Sequence, residues 1–272
     1  MIKLEINELK ETINNNEILK KYIDNFKNSI KGPFEKHIKA NTSIKESINQ
    51  RNLSVFKDSL YQGYDDAKRT FKEISEVWDT YQDSKSYKDV LFDELAEKLC
   101  DLFSPNNSST NFNDFHDNLC KYFIKSLSDK NYSLSTYGRA QKIINMALKY
   151  LYCLKDSNEY TSIFNECHMP LDSFTLEWCR RYLKDTRETL NSDTSWSGMK
   201  DELYYSLQDK IKDKLGYPLY AEFIIWPEIQ KHIAAEEFIF TFKEYTKKDK
   251  KDFVENKNLS EKFDVIKKII NP

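Results

Sequence analysis

Apolar side chains recur three and four positions apart along most of this chain. Ile6, Leu9 and Ile13, then Leu19, Tyr22, Ile23, Phe26 and Ile30, give an amphipathic helix or helix pair that stops at Gly32-Pro33. Asn14-Asn15-Asn16 marks an interruption within it. A less regular helical stretch covers residues 33–60 and ends near Gly63. Phe71, Ile74, Val77 and Trp78 place one apolar face on a helix over 65–81, and Leu91, Leu95, Leu99 and Phe103 do the same over 87–103. The polar run Ser104-Pro105-Asn106-Asn107-Ser108-Ser109-Thr110-Asn111 then reads as a hinge or boundary.

Beyond that run the pattern predicts helices over 115–127, from Tyr137 onward, over 172–188 and over 199–215, the last closed by Gly216 with Pro218 just beyond. Residues 219–226 are very apolar and stop at Pro227, which suits a short buried helix better than a strand. Helices over 232–245 and 259–270 complete the reading. The expected fold class is all-α, mainly helical, with no sheet larger than a small strand pair. Residues 1–104 and 105–272 form two helical regions, as two lobes flanking a cleft or as one domain.

Composition supports that picture. The 272 residues include 5 Gly and 6 Pro, too few punctuators for a hairpin-rich sheet protein. With 39% hydrophobic and 14% aromatic residues the chain can build a core although 32% of it is charged. Net charge is -2, which gives no global support for nucleic-acid binding. The charge is uneven, however: residues 121–190 carry eleven Lys or Arg against eight Asp or Glu, and residues 73–101 carry three against nine. Five cysteines, Cys100, Cys120, Cys153, Cys167 and Cys179, sit mostly within helical apolar patterns and read as reduced core residues. The start of the chain has no apolar leader core and no run approaches a membrane span, so a cytoplasmic protein with no membrane partner is expected.

Chemistry concentrates in one stretch, Tyr137-Gly138-Arg139-Ala140-Gln141-Lys142-Ile143-Ile144-Asn145-Met146-Ala147-Leu148-Lys149-Tyr150, followed by His168-Met169-Pro170-Leu171-Asp172-Ser173. A glycine opens a periodic helix with Lys142 in its first turns. Burial and the positive helix end would both lower the ammonium pKa of that lysine, which is the condition for a nucleophilic amine. The plainer reading makes Lys142 a surface lysine whose stem covers apolar area. Asp172 stands where a helix is about to begin: Asp172 or Ser173 is an N-cap, or Asp172 is a carboxylate facing a pocket.

Those two elements, in that order, resemble the helix-hairpin-helix DNA glycosylases, whose bifunctional members place a catalytic lysine after a glycine-containing hairpin and a catalytic aspartate after a Pro-x-Asp element. Gly138, Gln141-Lys142 and Pro170-Leu171-Asp172 are similar to those pieces. The all-helical archaeal 8-oxoguanine glycosylase branch is the most similar, in the helix Lys142-Ile143-Ile144-Asn145-Met146-Ala147-Leu148-Lys149 with its second lysine two turns on. The resemblance covers residues 131–188. One glycine, not the usual two, stands in Ser133-Leu134-Ser135-Thr136-Tyr137-Gly138.

The resemblance implies base excision from DNA, with Lys142 attacking the sugar and Asp172 assisting. It also implies phosphate contact at Gly138 and Arg139, and no metal or organic cofactor. Bacterial proteins that look like this branch include ones acting in phage defence on modified cytosines, so the base stays open. Met146 would face the pocket, and Tyr220 and Trp226, from the cluster Tyr217, Tyr220, Phe223 and Trp226, would stack a base or simply pack the core. The alternative is a non-catalytic helical protein-interaction or regulatory protein in which Lys142 and Asp172 are structural.

Other candidates carry less. Cys167-His168 with Cys153 and Cys179 lacks metal-ligand spacing, and His37, His116 and His232 are scattered. Lys247-Lys248-Asp249-Lys250-Lys251 reads as a solvated loop. Oligomeric state is not legible.

Overall fold

The computed structural model describes residues 4–82, 84–104, 111–183, 186, 190–191 and 193–247, with the backbone alone for Gln82 and 237–247. It is mainly helical. The asparagine interruption is a boundary with its own cap: Asn15 separates α1 (Ile6–Asn14) from α2 (Asn16–Ser29), its side chain accepting from the Ile18 amide at 3.2 Å. Two short helices, α3 (Glu35–Lys39) and α4 (Ile44–Asn49), lead into α5 (Leu53–Ala67).

Gly63 does not end that helix. It lies inside α5, where an added Cβ would come within 2.4 Å of the Ile143 carbonyl oxygen. The glycine is there to let two helix backbones touch.

The helix expected over 65–81 is not continuous. The chain leaves α5 at Ala67, makes a 3₁₀ turn over Lys68–Thr70, passes through Glu73 at φ +57° and re-forms only as α6 (Ser75–Trp78). Phe71, Ile74, Val77 and Trp78 are all buried nonetheless. Their spacing reported which side chains face inward, and short turns deliver the same burial. The strand pair β1 (Tyr81–Gln82) and β2 (Lys85–Ser86) follows, antiparallel, with Tyr81 opposite Ser86.

Four helices come next: α7 (Tyr87–Leu102), α8 (Phe112–Ser128), α9 (Tyr137–Tyr152) and the short α10 (Thr161–Phe164). After them α11 (Ser173–Tyr182) ends earlier than its apolar pattern suggested, and α12 (Asp201–Leu215) closes at Gly216, whose φ of +82° suits only glycine without strain. Residues 218–247 form one helix, α13 (Pro218–Lys247), running through Pro227 and joining the two segments expected on either side of it. The greater part of the 104–111 loop, all but Lys247 of the lysine run, and the helix expected over 259–270 lie outside the described residues.

One continuous apolar core runs from Leu4 to Ile229. Its axis is α9, where every residue from Tyr137 to Leu151 except Arg139 is buried. A helix buried all round must be enclosed by others: α5 lies along one side in the most extensive helix pair of the fold, and α8 and α12 cover another. No helix among the described residues is long and apolar enough to cross a membrane.

Candidate active site

The segment between α10 and α11 is buried from Cys167 to Asp172 although it has no regular structure. Its backbone groups therefore need partners. Two glutamines supply them. Gln208 of α12 accepts from the Met169 amide at 3.1 Å and donates to its carbonyl at 2.7 Å; Gln141 of α9 accepts from the Leu171 amide at 3.2 Å and donates to its carbonyl at 2.8 Å. The chain is thus delivered to Asp172 beside the first turns of α9.

Asp172 divides its two oxygens. Oδ1 caps α11, accepting from the amides of Phe174 at 3.0 Å and Thr175 at 3.1 Å, while Thr175 Oγ1 closes the capping box on the Asp172 amide at 2.8 Å. Oδ2 accepts from Lys142 Nζ at 2.8 Å and from Trp226 Nε1 at 3.0 Å. The cap and the inward-facing carboxylate are one residue.

Lys142 and Asp172 are both buried. Burial pulls the Lys142 ammonium down, but the charges of Asp172 and Glu222, the Asp172 hydrogen bond and the charge of Asp66 outweigh it and hold the lysine above its ordinary value. The lowered ammonium expected from the sequence is therefore reversed. Burial likewise pushes the Asp172 carboxyl up, and Lys142, the Thr175 amide and Trp226 bring it net below the usual carboxylate range. At neutral pH the two rest as an ion pair.

One face of α9 carries Lys142, Met146 and Lys149 at positions i, i+4 and i+7. Lys149 pairs with Glu222 of α13, both buried, and its Nζ lies over the rings of Phe26 and Phe223 at 3.9 and 4.7 Å. Farther along, Tyr150 donates to Asp66 at 2.7 Å. Asp66 is exposed at the cavity wall, yet desolvation is the largest influence on its carboxyl and raises it against Tyr150, Lys142 and Lys149.

These groups surround a cavity of about 490 Å³. Lys142, Met146 and Lys149 form its floor on α9; Phe26 comes from α2 and Ile30 from the residue just after it, Asp65 and Asp66 from α5, and Glu222 and Trp226 from α13. Phe174 stands edge-on to Trp226 with ring centroids 5.8 Å apart. Trp196 reaches the same space from a 3₁₀ turn over Trp196–Gly198.

The cavity thus gathers Lys142, Asp172, Met146 and Trp226 from the sequence candidates. Tyr220 is not among its lining residues: it lies two positions before Glu222, on the other side of α13, and packs against Tyr152 and Tyr217. Gly138 and Arg139 also stand apart. The Gly138 amide donates to Met199 at 3.0 Å, and a Cβ there would strike the Trp196 carbonyl, so this glycine admits the 196–199 turn against α9. Arg139 donates to the Leu134 carbonyl and lies over Phe71, and its amide is capped by Thr136 at 3.4 Å.

Sequence reasoning missed Glu222 and Asp66. Glu222 had a signal, since it is the one charged residue in 217–227, a segment too apolar to leave a carboxylate unpaired. Asp66 had none. His116 and His168 lie in a separate buried network that meets α9 at Asn145 through Tyr204, and all five cysteines are buried thiols. Among the described residues no three His, Cys, Asp or Glu side chains are grouped to hold a metal ion. In comparisons with protein-family models, with curated proteins and with solved structures, the chain matches none.

Proposed function

We propose that this protein is a DNA base-excision glycosylase with lyase activity, acting on a damaged or modified base in repair or in defence against modified phage DNA. The observation that supports it is the meeting of buried Lys142 and Asp172 at 2.8 Å on the wall of a cavity that opens to solvent. An amine and a carboxylate in contact, with Met146, Phe174 and Trp226 offering apolar and aromatic faces beside them, suit an extruded base attached to a sugar.

The chemistry runs from the ion pair. Lys142 must give up a proton before Nζ can attack, and Asp172 is the acceptor in contact with it. The C1'–base bond breaks with its electron pair on the base, which takes the proton that Asp172 received, and the Nζ–C1' bond forms. Opening of the sugar ring, with one Nζ proton passing to its oxygen, leaves a protonated imine between protein and DNA. Asp172, steadied by Trp226 and the α11 amides, balances positive charge on the sugar and then on the imine nitrogen. Phosphate contact at Gly138 and Arg139 would exchange the Arg139–Leu134 hydrogen bond for one to DNA.

Borohydride reduction tests the reading, because it converts the imine to a stable amine adduct. Wild type is expected to be trapped on DNA bearing an abasic site or a modified base, and Lys142→Gln is expected to give no adduct. Trapping that persists in Lys142→Gln, or no adduct with any substrate, would move the weight to a helical interaction protein in which the pair is structural.

A further inference from the structure

Gln141 precedes the lysine and points away from the cavity, yet its amide is saturated. Oε1 accepts from the Leu171 amide at 3.2 Å and from Asn145 Nδ2 at 3.0 Å; Nε2 donates to the Leu171 carbonyl at 2.8 Å and to the Gly138 carbonyl at 2.9 Å. A primary amide has two donors and two acceptor lone pairs, and all four are used. Two of the four bonds hold both backbone groups of the residue immediately before Asp172. The other two fix the side chain to α9, one turn back at Gly138 and one turn on at Asn145.

Asn145 is itself anchored, donating to Tyr204 at 2.8 Å. Gln208 makes the same paired contact to Met169, two residues farther from Asp172. The segment 169–171 is therefore held at alternate residues by two side-chain amides, as a neighbouring strand would hold it. Besides the Lys142–Asp172 bond itself, the Gln141 bonds to Leu171 tie the backbone just before Asp172 to the helix that carries Lys142.

We infer that Gln141 is the positioning residue of this site: by clamping Leu171 to α9 it sets the contact between the Lys142 amine and the Asp172 carboxylate. The inference rests on the proposed function for its catalytic meaning. Gln208 fixes the same segment without setting that contact, which provides an internal control of similar structural cost.

The test reads Lys142 directly, without DNA. The full-length protein is treated with formaldehyde and cyanoborohydride over a pH series, and methylation at Lys142 is followed by peptide mass spectrometry. Formaldehyde is small enough for the cavity, and only the free amine reacts. In Gln141→Met the clamp is lost, the Asp172 contact loosens, and the pH midpoint of Lys142 methylation is expected to fall by about one unit or more, roughly tenfold in reactive fraction at fixed pH. Gln208→Met, with a comparable loss of melting temperature, is expected to leave the midpoint in place.

Equal shifts in both variants, or a shift in neither, would overturn the inference. If Gln141→Met does not fold, Asn145→Ala decides: it removes one of the partners that orient Gln141, and an unmoved midpoint would overturn the inference equally. Borohydride trapping on abasic DNA is measured in parallel. Failure of wild type to form that adduct would remove the glycosylase reading, and the methylation comparison would still be decided by itself.

Discussion

Helix α9 separates two buried polar regions that differ in kind. On the cavity side are full charges: Lys142 with Asp172, Lys149 with Glu222, and Asp66 beside them. On an adjoining face Gln141 and Asn145 join a neutral network. There Tyr204 Oη meets Asn145 at 2.8 Å, His168 Nδ1 at 2.9 Å and His116 Nε2 at 3.3 Å, and His168 Nε2 meets Asn113 at 2.8 Å. Burial lowers His116 to about 4 and takes His168 well below its ordinary value, so both rings are neutral. The neutral network fills its space and holds helices together. The ion pairs beside a cavity of about 490 Å³ carry a desolvation cost that an apolar core would avoid, and breaking one of them leaves a charge uncompensated.

Breaking each region should therefore cost differently, and the largest effect belongs to the charged side. Glu222→Gln leaves Lys149 buried without its counter-charge, and denaturant unfolding should show a loss on the order of 3–5 kcal/mol. Tyr204→Phe removes one hydroxyl from the neutral network and should cost about 1–3 kcal/mol. Equal losses would erase the distinction drawn between the two regions.

Their pH responses should also diverge. A histidine held below its unfolded value contributes stability that is fully present above about pH 6.5 and is lost as pH falls toward 4 and lower. Lys142 is held above its usual value, so its contribution is present below pH 10.5 and is lost as pH rises through the raised value. Unfolding midpoints measured from pH 7 down to 4 should fall. His168→Gln, which keeps hydrogen-bonding groups without the titration, should flatten part of that slope.

The sequence made half of the charged region legible. Lys142 and Asp172 announced themselves as a glycine-opened buried helix followed by Pro-x-Asp, and Met146 follows Lys142 by one turn. Trp226 was visible only as one of a group of rings, and the group misled for Tyr220, because a cluster in sequence is split between two sides of a helix. The protonation of Lys142 could not be read, since it depends on Glu222 and Asp66, which tertiary packing alone brings close. Among the elements, capped helices such as α7 and α8 were plain, whereas the break between Ala67 and Ser75 was hidden by an apolar spacing that short turns satisfy equally well.

A change of similar size to Tyr204→Phe concerns the seam between α5 and α9. Gly63→Ala places a methyl group 2.4 Å from the Ile143 carbonyl and should cost about 1–3 kcal/mol, read as a lowered melting temperature, with the lysine pair displaced together with α9.

That seam also decides how the cavity can breathe. With backbone against backbone at Gly63, α5 and α9 have no side-chain cushion at that point, and sliding between them there meets the Ile143 carbonyl. Adjustment of the cavity to a larger guest then falls first to the walls facing α9, where Phe26 of α2, Ile30 just after it and Trp226 of α13 stand. In hydrogen-exchange experiments the amides of α9 should open only with the whole fold, while those of the facing walls exchange through smaller, separate openings.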